Sequence, residues 1–354
     1  MILFEPCKTL SSFAPQKCVN AARFRGAKGD NNRLTARSAV LQWTAFQKRK
    51  KHRNMKTIHP ETTRIGWIGT GVMGRSMCSH LLKAGYKTSV YNRTTSKQND
   101  LLSLGAVGCS SPRDVAHQSD VVFSMVGYPS DVEEVILGPS GALSGLAPGG
   151  VLVDMTTSRP NLAVRIANEA KAKGVLALDA PVSGGDIGAR EARLSIMVGG
   201  VFEAFEALEP LWKLMGTTHV FHGSAGCGQH VKMVNQILIA SSMVGLCEAL
   251  LYAKQAGLNP ELVLKSVSTG AAGSWTLSNL TPRILKGDYA PGFFVDHLVK
   301  DLSIAIEEAE KLGLNLPGLS NAKKVYEYLQ SLGYGSSGTQ SLILAMAKQN
   351  GIDW

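Results

Sequence analysis

The sequence predicts an open, doubly wound α/β sheet, then a long helix, then an all-α region. Three observations predict it: apolar runs alternate with helical patterns up to about residue 224, a charge-free run fills 233–247, and residues 259–354 keep helical periodicity with Gly/Pro punctuation. Ile65, Trp67 and Ile68 open the series as a short buried strand. Thr88–Tyr91 follows as a second strand, after a helical pattern that ends at Gly85. VVFSMV (121–126), VLVDMTT (151–157), VLALDAPV (175–182) and LSIMVGG (194–200) lack polar alternation, as strands covered on both faces do. Segment 223–258 reads as one helix of nearly thirty residues, and its apolar character all round predicts burial between two domains. Its fifteen charge-free positions fall short of the roughly 20 residues that span a bilayer, so a core helix is expected.

A formal charge of +10 over 354 residues suggests a nucleic-acid or membrane-surface binder until the charge is located. Residues 1–60 hold thirteen Lys/Arg against Glu5 and Asp30, while the rest of the chain holds 24 basic and 25 acidic side chains. The body is nearly neutral, so neither nucleic acid nor membrane is expected as a partner. Segment 1–60, expected to be disordered, has the basic, Ser/Ala-rich, acid-poor composition of an organellar leader, mitochondrial first and plastid second. A start at Met55 would leave a leaderless, cytosolic chain, and KRKKHR (48–53) also fits a nuclear address. The body divides into 61–224 and 225–354, each large enough for its own core. Six cysteines without short-spaced pairs make neither a disulfide framework nor a zinc site, and no metal is expected.

Gly69, Gly71 and Gly74 stand in G-x-G-x-x-G spacing between a strand and a helix, with a second strand about 20 residues on. In that context each glycine has a task. Gly69 makes the tight turn, Gly71 admits a pyrophosphate to the backbone, and Gly74 lets helix and strand pack closely. The free N–H groups of the helix start then face the phosphates. The second strand ends in Asn92-Arg93-Thr94, where an NAD site carries Asp or Glu. No carboxylate there repels a 2′-phosphate and a guanidinium is at hand, with Lys97 adding charge, so NADP(H) is favoured and NAD(H) is the alternative. A plain solvated arginine is the other reading of Arg93.

Two loops after strand ends carry further chemistry: Thr156-Thr157-Ser158, and Ser183-Gly184-Gly185 within DAPVSGGDIGA. The second suits a cradle for a carboxylate, and equally a tight turn in which Ser183 caps the next segment. Lys232 is expected in the first turn of the long helix, with Asn235 and Gln236 on the same face. The helix dipole and burial both lower a lysine pKa there, which suits a proton donor and acceptor near neutral pH. A lysine that snorkels or pairs with a carboxylate fits the sequence as well.

Taken in order, IGWIGTGVMG, YNRT, DMTT, DAPVSGG with LSIMVGG, GxGxxxKxxNQ and FxxxHxxKDL resemble the β-hydroxyacid dehydrogenase family over about 64–350. That family includes 3-hydroxyisobutyrate dehydrogenases and glyoxylate/succinic semialdehyde reductases. GWIGTGVMGRSMC and STGAAGSW (268–275) are similar to its plant 3-hydroxyisobutyrate dehydrogenase-like branch, which carries a mitochondrial presequence.

The resemblance implies a Rossmann domain joined by a long helix to an all-α domain, as in 6-phosphogluconate dehydrogenase, in dimers or tetramers. It implies hydride transfer between NADP(H) and a small 3-hydroxy acid, semialdehyde or glyoxylate-type acid. Lys232 would be the catalytic acid/base. Ser183, Gly184 and Gly185 would hold the substrate carboxylate with help from Asn235. Thr157 would lie near nicotinamide and substrate, and Phe293 and Asp301 would line or brace the pocket. Gly69, Gly71, Val72, Met73, Gly74, Asn92, Arg93, Thr94, Thr157 and Lys300 would contact the cofactor. Two positions depart from the family pattern: Ala192 replaces a glycine, and Asn235-Gln236 replaces Asn-Asn. An NAD-linked 3-hydroxyisobutyrate dehydrogenase of valine breakdown is the alternative. A non-catalytic nuclear scaffold is the remote one, and the presence of Lys232 argues against it.

Overall fold

Six parallel strands set the frame: β1 (Arg64–Ile68), β2 (Lys87–Tyr91), β3 (Val107–Gly108), β4 (Val121–Ser124), β5 (Val151–Asp154) and β6 (Leu176–Asp179). They lie in the order β3-β2-β1-β4-β5-β6, so the direction of strand addition reverses between β1 and β4 and opens a crevice at the carboxyl ends. The computed structural model describes residues 57–354, and the leader with its targeting readings lies outside them. Alternate residues of each strand serve opposite cores. Val121, Phe123, Val151 and Val153 join Trp67 and Trp212 on one face; Val122 and Leu152 join Ile68 and Ile136 on the other. Double coverage is why these strands read as continuous apolar runs.

Three more strands extend the sheet: β7 (Val182–Ser183) and β8 (Leu194–Gly200), which pair antiparallel, and β9 (Gly216–Gly223), parallel to β8. β8 also runs antiparallel to β6. The single run expected over 175–182 is two strands, because Pro181 has no N–H to give a ladder and the chain bends there. β9 was not expected at all. Its TTHVFH sequence has no apolar run, and an edge strand with exposed side chains needs none.

Six helices shape the site: α1 (Val72–Lys83), α2 (Pro129–Leu137), α3 (Gly185–Arg190), α4 (Cys227–Gln255), α5 (Trp275–Leu285) and α6 (Val295–Lys311). α4 packs against β8 and then against α6, joining the sheet to a helical core that includes Met243, Cys247, Leu298, Leu302 and Tyr326. Its burial differs from expectation. Gln229, Lys232, Met233, Gln236, Ala240 and Met243 form a buried stripe, while Val234, Leu238 and Tyr252 on the other flank are exposed. Only 39% of its most apolar window is buried. At 29 residues it also exceeds the charge-free run, and by length and composition alone it is long and apolar enough to cross a membrane.

Candidate active site

The turn after β1 is built by sterics. Gly69 has φ +92°, and a Cβ there would lie 2.2 Å from the Met125 carbonyl oxygen. A Cβ on Gly74 would lie 2.0 Å from the Gly69 carbonyl oxygen, so α1 seats directly on the turn. Gly71 is the opposite case: nothing lies within 4 Å of its Cβ position, and the residue faces a cavity of about 970 Å³. Open space before an exposed run of helix N–H groups fits a pyrophosphate. Asn92 ties the end of β2 to this turn, its Oδ1 accepting from Thr70 N at 2.9 Å and its Nδ2 donating to Thr94 O at 2.9 Å. Arg93 lies at the rim, 77% exposed, its guanidinium 3.1 Å from Asp131 of α2.

The cavity runs from these residues to the helical region. Val72, Met73, Thr94, Lys97, Thr157, Ser183, Gly184, Gly185, Lys232, Phe293, Lys300 and Asp301 all line it. The second loop resolves one open reading. Gly184, at φ +134°, precedes α3 as its capping residue with no side-chain cap bond, so Ser183 does not cap that helix. Ser183 instead ends β7 beside Ser195 and faces the cavity.

Lys232 is buried, and its Nζ donates to the Val182 carbonyl at 2.8 Å. It neither snorkels nor sits in an ion pair. Burial lowers its pKa to about 8; Asp301 opposes this shift and Lys300 adds to it. Because α4 starts at Cys227, Lys232 stands in the second turn rather than the first, so desolvation outweighs the helix dipole. Lys300 donates to the Thr157 carbonyl at 2.7 Å and pairs with Asp301 at 2.8 Å. Asp301, 1% exposed, also accepts from Gln236 Nε2 at 2.6 Å.

Asn235 is the one expected site residue that does not line the cavity. Its amide reaches the site only through Gln236, donating to Gln236 Oε1 at 2.7 Å, and Gln236 takes the lining position. The i+4 residue continues the stripe of Lys232, whereas i+3 turns toward the open flank. Sequence reasoning also missed His297, held edge-on by Tyr128 and Phe294, with a pKa that burial lowers. It missed the cavity-facing row Trp275, Asn279 and Arg283 as well, spaced at i, i+4 and i+8 along α5. The histidine stood in the FxxxHxxKDL pattern and the row had helical spacing, so both left signals. Among the described residues no cluster of His, Cys, Asp or Glu could hold a metal ion.

Residues 64–224 match the family described as the NAD-binding domain of 6-phosphogluconate dehydrogenase. Residues 226–346 match the NAD-binding region of NADP-dependent 3-hydroxyisobutyrate dehydrogenase. The chain belongs to the 3-hydroxyisobutyrate dehydrogenase family. It is 54% identical to the Arabidopsis thaliana protein named "Probable 3-hydroxyisobutyrate dehydrogenase-like 1, mitochondrial", over 83% of this chain and 88% of that one. The 2-hydroxy-3-oxopropionate reductase of Escherichia coli is 37% identical over 80% of this chain and 97% of its own. The crystal structure of 3-hydroxyisobutyrate dehydrogenase from Salmonella typhimurium superposes with a TM-score of 0.73 at 28% identity, covering 80% of this chain and 99% of that one. The protein is therefore an oxidoreductase, an NAD(P)-dependent hydroxyacid dehydrogenase with a Rossmann domain followed by a helical one.

Proposed function

We propose that the protein interconverts a small 3-hydroxy acid and its semialdehyde, or reduces a glyoxylate-type acid, using NADP(H) with Lys232 as general acid and base. The observation that carries this reading is the buried, cavity-facing Lys232, held on the Val182 carbonyl beside the Ser183-Gly184-Gly185 loop, with a pKa that burial lowers to about 8. When bound, the nicotinamide supplies or accepts the two reducing electrons. The chain supplies everything else. Gly69, Gly71 and Gly74 with Val72 and Met73 receive the pyrophosphate, Asn92 and Thr94 frame the adenosine ribose, and Arg93 meets a 2′-phosphate. Ser183 and the two glycines after it receive the substrate carboxylate, and Phe293 excludes water. In reduction, protonated Lys232 donates its proton to the developing alkoxide; in oxidation, neutral Lys232 accepts the hydroxyl proton.

The rim pair gives the NAD-linked reading its one supporting observation, because Asp131 already engages Arg93. The leader composition and the naming of the plant relative support a mitochondrial address. The exposed flank of α4, Val234, Leu238 and Tyr252, supports assembly into homodimers or homotetramers.

Steady-state kinetics of the purified chain test the reading. Glyoxylate, succinic semialdehyde, methylmalonate semialdehyde and 3-hydroxyisobutyrate are offered with both cofactors. The expected outcome is faster turnover with NADP(H), and reduction that falls as pH rises through about 8, where Lys232 loses its proton. Lys232→Ala should lower kcat about 1,000-fold while NADPH still binds; near-normal kcat refutes the assignment.

A further inference from the structure

Neither Asp179 nor Gln229 lines the cavity, yet both are buried, at 3% and 0% exposure. Asp179 closes β6. Its two carboxylate oxygens accept from Gly226 N at 2.8 Å and from Gln229 N at 2.9 Å. These are the N–H groups at the start of α4 that have no partner within the helix, so the strand end pins the helix start to the sheet. Gln229 then reaches across to the loop after β5. Its Nε2 donates to the Thr156 carbonyl at 2.8 Å, and its Oε1 accepts from Ser158 N at 2.9 Å.

That amide therefore clamps the backbone on both sides of Thr157, whose carbonyl holds Lys300. Gln229 is also three residues before Lys232, one turn lower on the same buried stripe. The Val182 carbonyl that receives Lys232 is three residues beyond Asp179. The joint has no slack: a Cβ on Gly228 would lie 2.4 Å from the Met197 carbonyl oxygen and 2.6 Å from that of Asp179.

We infer that Asp179 and Gln229 are positioning residues that fix Lys232 and Lys300 relative to one another across the joint between sheet and helical region. The inference rests on the reading of Lys232 given above. A carboxylate holds the helix in height, and an amide one turn below the lysine fixes the loop that receives the second cation. Neither residue supplies a proton or touches a reactant. Their effect is to keep the ammonium of Lys232 at a set distance from the place where the carbonyl oxygen must lie, and an error of about 1 Å there costs on the order of 100-fold in rate.

The full chain carrying Gln229→Leu is compared with the parent for kcat, for the dissociation constant of NADPH by fluorescence titration, and for thermal midpoint. The expected result is a kcat lower by about 100-fold with a much smaller loss of NADPH affinity, about tenfold or less, since Thr157 and Lys300 also face the cofactor; general loosening would not give that split. Gln229→Met keeps the side-chain length and a weak sulfur acceptor near Ser158 N, loses the donor to Thr156 O, and buries no charge. It should fall about tenfold, and it serves as the reading should the leucine variant not fold. Unchanged kcat in the folded variants overturns the inference, as does loss of NADPH binding in proportion to kcat. Lys232→Ala is measured alongside. If it retains turnover, the reading of Lys232 fails and the inference falls with it. If it is inactive while the Gln229 variants match the parent, this inference alone fails.

Discussion

The two ends of the cavity are built on different principles. At the cofactor end the working parts are empty space and backbone: Gly71 leaves its Cβ position open, and the arginine at the rim is 77% exposed. At the chemical end the working parts are side chains taken out of water. Lys232 and Asp301 are 6% and 1% exposed, and each is fixed by a short hydrogen bond. Room with an exposed guanidinium suits a large anion. Burial with fixed geometry sets a proton affinity. One end can therefore be altered without touching the bonds that hold Lys232, whereas a change at the other propagates through Lys300, Asp301 and Gln236.

The sharpest way to break this comparison lies within the glycine turn itself. Gly74→Ala should cost about 3 kcal/mol of stability, because its Cβ meets the Gly69 carbonyl, which belongs to the backbone. Gly71→Ala should leave stability within about 0.5 kcal/mol while lowering NADPH affinity. Chemical denaturation and cofactor titration of both variants check this, and similar unfolding midpoints would sink the steric account. Next in size, Arg93→Asp should shift the NADPH/NADH preference by at least about tenfold toward NADH, since it replaces a charged donor with a repelling carboxylate. An unchanged ratio removes Arg93 from the 2′-phosphate role.

Burial beside the chemical end has a measurable cost. Asp154, fully buried next to Asp179, has its pKa pushed up from 3.8 to about 6 by desolvation, against hydrogen bonds from Thr156 and Ser124. Between those pH values the folded protein holds a proton that the unfolded chain has released. The contribution of this group is therefore full below pH 3.8 and is lost as pH rises through about 6. Asp154→Asn keeps an amide oxygen in the place of Oδ1, which accepts from both Ser124 and Thr156. It should be more stable than the parent by about 2 kcal/mol at pH 7 and by little at pH 4. Equal gains at both pH values would remove the electrostatic explanation.

The smallest effect belongs to Ala192, which has φ +54° and is the one non-glycine residue in that region among those described. Ala192→Gly should gain about 1 kcal/mol in urea denaturation with kcat unchanged. A loss of stability would mean that the turn prefers its methyl group.

The cofactor end was largely legible in the sequence, because glycine spacing between a strand and a helix records a backbone shape directly. The parallel strands were legible too, as double burial writes itself in apolar runs. The chemical end was legible only by residue type. Lys232 could be named, but whether it snorkels, pairs or stands buried depended on Val182, fifty positions away in sequence. Asn235 and Gln236 were both expected on the face of Lys232, and that Gln236 alone of the two lines the cavity is a matter of helix phase, a tertiary fact. β9 escaped because an exposed edge strand carries no apolar signature. The exposed flank of α4 escaped because an apolar helix does not announce which side faces its own chain.

α4 begins beneath the sheet and ends inside the helical core, so it belongs to both halves. A recombinant cut near residue 225 would trade one cofactor half for another while leaving Lys232, Lys300 and Asp301 with the recipient. The graft must then agree at the contacts that cross the cut: the carboxylate of Asp179 against the first helical N–H groups, the amide of Gln229 against the loop around Thr157, the Val182 and Thr157 carbonyls under Lys232 and Lys300, and Arg159 against Glu307. Compatibility at that seam, more than overall likeness of the two parents, decides which chimeras of this architecture can work.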